Sequence, residues 1–340
     1  MPDSCLHAGR YRTAEGGDIS VSDVGEFGLI ARIIARLSGG RALLGPGDDA
    51  AVLATSDGRV VASTDLLVEG THFRRDWSSA YDVGRKAAAQ NLADIAAMGA
   101  RPSALLVGLA APRDLDVAWV EGLADGLRDE CALVGAEVVG GDLSRSTVLT
   151  LAVTALGDLR GRQPVTRSGA RPGDVVVVAG RLGFAAAGLA LLAAGHADAP
   201  LAEAHRRPQV SYDAALRLAE VGATAMIDVS DGLVADLGHI ASASGVGIQL
   251  ASDDLPLPPE LVEAGLEVGV DPLSWVAGGG DDHAFAATMS DDAVLRAMTR
   301  LTDLPGPVPF TQVGRVVEGS GVVFIDRTPS GPPGHDHFAP

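Results

Sequence analysis

A layered α+β chain in two domains is the fold class that this sequence predicts, and three observations predict it. The first is size: 340 residues with 47% hydrophobic content can bury a sizeable core, and more than one domain is expected at this length. The second is the alternation of strand-like and helix-like runs in both halves, which implies sheets layered with helices. The third is the stretch from Arg160 to Asp174, rich in Gly, Pro and Arg and poor in apolar residues, which reads as a connection. The expected organisation is a disordered extension over 1–24, a first domain over 25–160 and a second over 161–340.

The elements follow from their patterns. Phe27, Ile30, Ile33, Ile34 and Leu37 have helical spacing, which Gly39-Gly40 ends. Gly45 to Asp49 reads as a turn into a strand over Ala50 to Leu53, and Val60 to Ser63 as a short strand ending at Thr64-Asp65. Asp82 to Met98 is an Ala-rich helix with Asp82 as its cap and Gly99 as its stop. Leu105 to Leu109 is a strand and Asp114 to Cys131 a helix. Ala136 to Val139 is a strand broken by Gly140-Gly141, and Thr147 to Leu156 is a long β-rich run. In the second half, Val175 to Ala179 and Met226 to Asp228 are strands, and Phe184 to Ala194 and Asp231 to Ser244 are helices. Further strands are expected near Val246 to Leu250, His283 to Met289, Phe310 to Val317 and Val322 to Asp326.

Composition excludes several classes of function. A net charge of −18 disfavours nucleic acid or an anionic membrane surface as partner. An anionic nucleotide would also be repelled unless cations screened it. Lys86 is the one lysine beside 25 arginines, and Gly84-Arg85-Lys86-Ala87 is not a phosphate-binding P-loop. The protein-kinase lysine motif and the Gly-x-Ser-x-Gly elbow of hydrolases are missing too, as is an EF-hand. Cys5 and Cys131 give neither a disulfide framework nor a zinc spacing. The polar first residues do not read as a targeting segment, and no apolar run is long enough to span a bilayer. A cytoplasmic location is therefore expected.

What remains is a recurring pattern. The chain has 32 Asp against 12 Glu, and the aspartates follow short apolar runs in company with Gly, Ser and Thr. Short oxygen ligands on strand ends and tight turns suit hard divalent cations such as Mg2+. Ser63-Thr64-Asp65 alone reads most simply as a strand end. Asp94 lies on one helix face with Ala87 and Asn91, where a carboxylate is costly unless paired or metal-bound. Gly140-Gly141-Asp142 is either a turn or a close approach of backbone to ligand. In Asp228-Val229-Ser230-Asp231-Gly232 a strand hands over to a helix, so Ser230 or Asp231 either caps that helix or sits where its N-terminus attracts phosphate. Gly278 to Asp282 is similarly ambiguous. The residues point to an acidic enzyme dependent on Mg2+ and phosphate, with a non-catalytic acidic metal-binding protein as the rival of a different class.

Read in order, the clusters resemble the thiamine-monophosphate kinase family of the aminoimidazole-ribonucleotide-synthetase-like ATP-binding superfamily. The resemblance runs over about residues 25–338 and rests on collinear motifs. They are Gly25-Glu26-Phe27-Gly28, Gly47-Asp48-Asp49, Ser63 to Phe73, Asn91 to Ala100, Gly140-Gly141-Asp142, Thr166-Arg167-Ser168-Gly169, Ile227 to Leu233, Gly279 to Asp282 and Asp336-His337-Phe338. It implies a ferredoxin-like N-terminal domain for ATP binding and dimerisation, followed by an α+β domain. It also implies a homodimer and direct transfer of the ATP γ-phosphate to thiamine monophosphate, the last step of thiamine diphosphate synthesis. By motif position, Asp49, Ser63, Thr64, Asp65, Asp94, Asp142, Asp228 and Asp231 would form the metal shell, with Asp94, Asp142, Asp228 and Asp231 catalytic. Gly141, Asp142, Arg167 and Ser230 would contact the nucleotide, and His72, Asp281 and His335 the acceptor. The chain departs from the family at Asp281, where Glu is usual, and at His335, where an aromatic is usual. Selenophosphate synthetase would need a reactive Cys in a Gly-rich motif, and the hydrogenase-maturation relative a C-terminal Cys. Aminoimidazole ribonucleotide synthetase shares the fold, but the Asp65 to His72 stretch and Asp-His-Phe favour the thiamine enzyme.

Overall fold

Helices and strands alternate through the computed structural model, which describes residues 19–37, 42–44 and 50–335. The first half contains α1 (Val21–Leu37), β1 (Val61–Val68), α2 (Ala80–Ala97), β2 (Arg101–Ala111), α3 (Val117–Val134), β3 (Glu137–Arg145) and β4 (Thr150–Asp158). The second begins with β5 (Val175–Ala179), α4 (Phe184–Ala193), α5 (Ala202–Arg206), α6 (Tyr212–Val221), β6 (Ala225–Val229) and α7 (Leu233–Ser244). It continues with β7 (Gly247–Leu250), α8 (Pro259–Val268), α9 (Pro272–Gly278), β8 (Ala284–Met289), α10 (Asp291–Leu301), β9 (Phe310–Val317) and β10 (Gly321–Phe324). Among the described residues no helix is long and apolar enough to cross a membrane.

The strands form two sheets, a four-stranded one in the order β1-β4-β2-β3 and a six-stranded one in the order β10-β7-β9-β5-β8-β6. In the first, β4 inserts antiparallel between β1 and β2, giving the split βαβ arrangement expected of a ferredoxin-like domain. Side chains alternate across a strand, and β1 shows the consequence. Leu67 is buried beneath α2, whereas Ala62, Thr64 and Leu66 are exposed on the other face. In the second sheet both faces are covered at β5, β6 and β8. Alternate residues of β5 feed different cores: Val175 and Val177 join the cluster shared with α2, α3, α6 and α10, and Val176 and Val178 join the cluster of α7, α8 and α9. A run of four valines suits a strand buried on both sides.

Several expected boundaries move for identifiable reasons. Helix α2 starts earlier than expected because Ser79 is its N-cap, and Asp82 answers from the third helical position in a capping box. Asp116 rather than Asp114 caps α3. Strand β3 does not break at Gly140-Gly141 but runs through it, with a register shift against β2 between Leu105 and Leu106. Any Cβ on Gly141 would collide with the Val107 carbonyl, so this glycine allows close strand approach. In place of a strand over 50–53 there is one bridge, Leu44 to Val52. Residues 19–24 belong to the fold, since the Val21 and Ser22 amides bond the Leu115 and Arg113 carbonyls. The rest of the expected extension, 1–18, lies outside the described residues.

Close contact between α2 and α3 sets the position of the site. A Cβ on Gly84 would strike the Leu123 carbonyl, and one on Gly126 would strike the Tyr81 carbonyl. With these glycines the two helices lie backbone to backbone. Gly126→Ala is expected to destabilise the fold by about 1–3 kcal/mol in denaturant titration, because the helices must separate to admit the methyl group. A neutral result would show that the crossing is not close-packed.

Candidate active site

Helix α2 brings its polar residues under the covered face of β1. The Ser63 hydroxyl donates to Asp94 Oδ2 at 2.6 Å, Gln90 donates to Asp65 Oδ2 at 3.3 Å, and the Asp65 amide donates to the Asn91 side chain at 3.2 Å. From the other half, Asp228, the penultimate residue of β6, is buried and faces the same region. Burial, then the neighbouring Asp228 carboxylate, push the Asp94 carboxyl up from 3.8 to about 7. Asp65 adds to the rise, and the Ser63 hydrogen bond and His283 oppose it. Two chain segments remote in sequence thus bring acids to one place, and among the described residues no Lys or Arg is paired with either.

The turn after β6 is held by a residue that the sequence reading passed over. Asp236, on the first turn of α7, accepts from the amides of Ser230, Asp231 and Gly232 at 3.1, 3.1 and 3.0 Å. Neither Ser230 nor Asp231 caps α7, and the amides that were expected to attract phosphate are already taken. Burial and then Asp228 raise the Asp236 carboxyl to about 7, against the pull of these backbone donors. A second turn docks on the first, with the Asp281 amide bonding the Ser230 carbonyl and the His283 amide the Val229 carbonyl. Asp281 and His283 both adopt positive φ, 67° and 51°, which is uncommon without glycine. The buried His283 Nδ1 lies 3.1 Å from Asp228 Oδ2. Burial disfavours imidazolium there, but Asp228 outweighs it and raises the ring above its ordinary value.

The adjacent acids Asp281 and Asp282 have separate roles. Asp282 is buried and accepts from the Gly183 and Ala185 amides at 2.5 and 2.8 Å, capping α4. Asp281 reaches out to Lys86 Nζ at 2.8 Å. The tail reaches the same turn through the His335 amide, which bonds the Asp231 carbonyl at 2.8 Å. His72 lies in the turn beyond the far end of β1, with Nδ1 accepting from the Val68 amide.

Ser63, Asp65, Asp94, Asp228 and Asp231 are thus gathered on one side, with Ser230, Asp281 and His335 adjoining. Thr64 and Asp142 lie on the open face of the first sheet. Thr64 bonds Val153 and Thr154, and Asp142 shares a register row with Gly108 and Ala152. With Gly141 it lines a cavity of about 780 Å³ between β3 and α1. Arg167 is exposed, and its carbonyl accepts from Ser244. Asp49 lies outside the described residues, as do Asp336-His337-Phe338. Among the described residues no three Asp, Glu, His or Cys side chains converge on a single ion position. The donors are nevertheless all hard oxygens, and among the described residues Asp94 has only the Ser63 hydroxyl as a hydrogen-bond partner, so the set suits Mg2+ ions that keep waters and bind through one or two carboxylates each.

Residues 47–159 match the AIR synthase related protein, N-terminal domain, and residues 171–327 the AIR synthase related protein, C-terminal domain. The thiamine-monophosphate kinase of Mycobacterium tuberculosis H37Rv is 47% identical over 312 residues, covering 90% of this chain and 89% of that protein. The same enzyme of Escherichia coli K12 is 38% identical, covering 93% and 98%. Among solved structures, thiamine-monophosphate kinase of Stenotrophomonas maltophilia superposes with a TM-score of 0.76 at 38% identity, covering 88% of this chain and 96% of that one. AaThiL complexed with AMPPCP and TMP superposes at 0.74 and 34% identity, covering 94% and 99%.

The raised Asp94 carboxyl has a signed consequence. Its folded value lies above the ordinary 3.8, so its contribution to stability is full below about pH 4 and is lost as pH rises to about 7. Without metal, Asp94→Asn should therefore melt close to wild type at pH 4 and above it at pH 8. Equal melting temperatures at both pH values would show that Asp94 is not crowded.

Proposed function

The chain belongs to the thiamine-monophosphate kinase family, and on that premise we propose that it transfers the γ-phosphate of ATP to thiamine monophosphate, giving thiamine diphosphate and ADP. The observation that carries this reading is the approach of Asp94 on α2 to Asp228 on β6, acids from two halves whose mutual repulsion a divalent cation would relieve. The relative bound to AMPPCP and TMP supports the choice of substrates.

Asp65, Asp94, Asp228 and Asp231, with the Ser63 hydroxyl, would hold Mg2+, which when bound neutralises phosphate charge. Thr64 and Asp142, on the other face of the sheet, would serve a separate ion, and Asp49 is assigned by its motif alone. The remaining work belongs to the chain. Gly141, beside Asp142 in the cavity wall, would contact the nucleotide through its backbone. Arg167 offers a bidentate fork for a phosphate, and the Ser230 turn, fixed by Asp236, contacts the nucleotide. His72, Asp281 and His335 orient the acceptor. Phosphoryl transfer needs positioning and charge neutralisation more than a protein nucleophile, so the transfer is direct and in line, with no phosphoenzyme.

The exposed open face of the first sheet, with Leu66 and Leu106 among its residues, supports a homodimer joined through the N-terminal domain. The domains divide near residue 160, a partition that agrees with the separate sheets over 61–158 and 175–324. The site is cytoplasmic, where ATP and reduced thiols prevail.

Incubation with ATP, Mg2+ and thiamine monophosphate should yield thiamine diphosphate one-for-one with ADP, and none with thiamine as acceptor or without metal. Asp94→Asn should lower turnover by about 10²–10³-fold while the protein stays folded. ADP release without thiamine diphosphate, or a protein-bound phosphate trapped from labelled ATP, would contradict the reading.

A further inference from the structure

The chain's one lysine is buried where two halves of the molecule meet. Lys86 projects from α2, its side chain only 3% exposed, and its ammonium reaches Asp281 Oδ2 at 2.8 Å and the His205 carbonyl at 3.4 Å. Asp281 belongs to the β8 side, 195 residues on, and its side chain is 41% exposed. His205 on α5 is also buried, its Nδ1 3.9 Å from the same Asp281 oxygen and without a hydrogen-bond partner. A solvated lysine would lose little by substitution, but a buried one is costly unless something requires its charge.

The geometry suggests what does. Only Oδ2 of Asp281 is engaged among the described residues, which leaves Oδ1 without a partner on a partly exposed side chain. The backbone there is held in the left-handed region by the bond from the Asp281 amide to Ser230, so the carboxylate is fixed at both ends. Burial alone would raise this carboxyl, but the Lys86 ammonium outweighs it and keeps Asp281 an anion. His205 is pushed down to about 3 by burial and by Lys86, so it sits neutral beside the pair. A fixed anion repels the acceptor's phosphate and attracts a cationic ring or an N–H donor.

We propose that Lys86 is a positioning residue for the phosphoryl acceptor, holding Asp281 so that its free oxygen meets the cationic, nitrogen-bearing end of that molecule. The proposal rests on the functional reading above and deepens it, since it makes the Lys86–Asp281 pair the filter that separates thiamine monophosphate from uncharged or anionic monophosphates. Lys86 itself acts only through Asp281.

The test is calorimetric titration of thiamine monophosphate onto full-length protein saturated with Mg2+ and a non-hydrolysable ATP analogue, alongside steady-state kinetics. Wild type, Lys86→Met, Asp281→Asn and the double variant are compared. Lys86→Met should weaken acceptor affinity and raise its KM by about 10-fold or more, with analogue affinity changed by less than about 2-fold. The double variant should be no worse than Asp281→Asn, because the two residues act as one unit. Asp281→Asn leaves a buried lone ammonium. If it fails to fold, Lys86→Met and the neutral double variant must match each other instead. Unchanged acceptor affinity in Lys86→Met, losses that multiply in the double variant, or an equal loss of analogue affinity would each overturn the proposal. Wild type that binds no thiamine monophosphate would sink the functional reading itself, and this proposal with it, before any variant is compared.

Discussion

Helix α2 has to pack against two sheets and a neighbouring helix, and most of the structure follows from that constraint. Its Ala and Gly residues let α3 and β1 come close, and its far side abuts β6 and α6 of the second half. A helix enclosed on so many sides tolerates few polar groups. Each one present has a specific partner: Asn91 bonds the Ala87 carbonyl, Lys86 bonds Asp281, and Asp94 takes the Ser63 hydroxyl. Arg85 on the same helix meets the buried Glu130, which in turn accepts from Tyr212 of α6. The helix thereby ties the halves together and presents Asp94 of the first half to the second.

The crowding of acids is a property of the fold rather than of one residue. Asp94 is pressed by Asp228, Asp236 by Asp228 and Asp231, and Asp282 is driven up to about 7 by its own burial against backbone donors. Only Asp282 and Asp236 use their oxygens to hold turns in place. Asp228 pairs with the buried His283, while Asp94 has only the Ser63 hydroxyl among the described residues, and carboxyls perturbed in this way cluster at functional sites. Lys86 balances the same region from the opposite side with a single buried positive charge.

How much of this was legible in the sequence depended on the kind of signal. The buried strand Val175–Ala179 could be read to the residue, because an apolar run bounded by turn residues leaves few alternatives, and the half-buried Phe310–Val317 was placed as well. The Ala-rich α2 and the acids at Asp94, Asp228 and Asp231 were visible as well. Helices α6, α8, α9 and α10 were not separated from the surrounding alternation, although Ser290 and Asp271 at their starts are cap residues. Local reading also mistook a close strand crossing at Gly141 for a break. Asp236 and His283 were missed because their partners lie in a turn or across the sheet. Lys86 was considered only as a failed P-loop, yet a lone lysine among alanines on a buried helix was itself the signal.

The central claim is that Asp94 and Asp228 form a site completed by metal and nucleotide together. The most direct measurement is the melting temperature of the protein as Mg2+ is titrated with and without a non-hydrolysable ATP analogue. The account predicts a large upward shift when both are present, and little from the analogue alone, because an uncompensated nucleotide is repelled by the acids. An equal shift from the analogue without Mg2+ would contradict it.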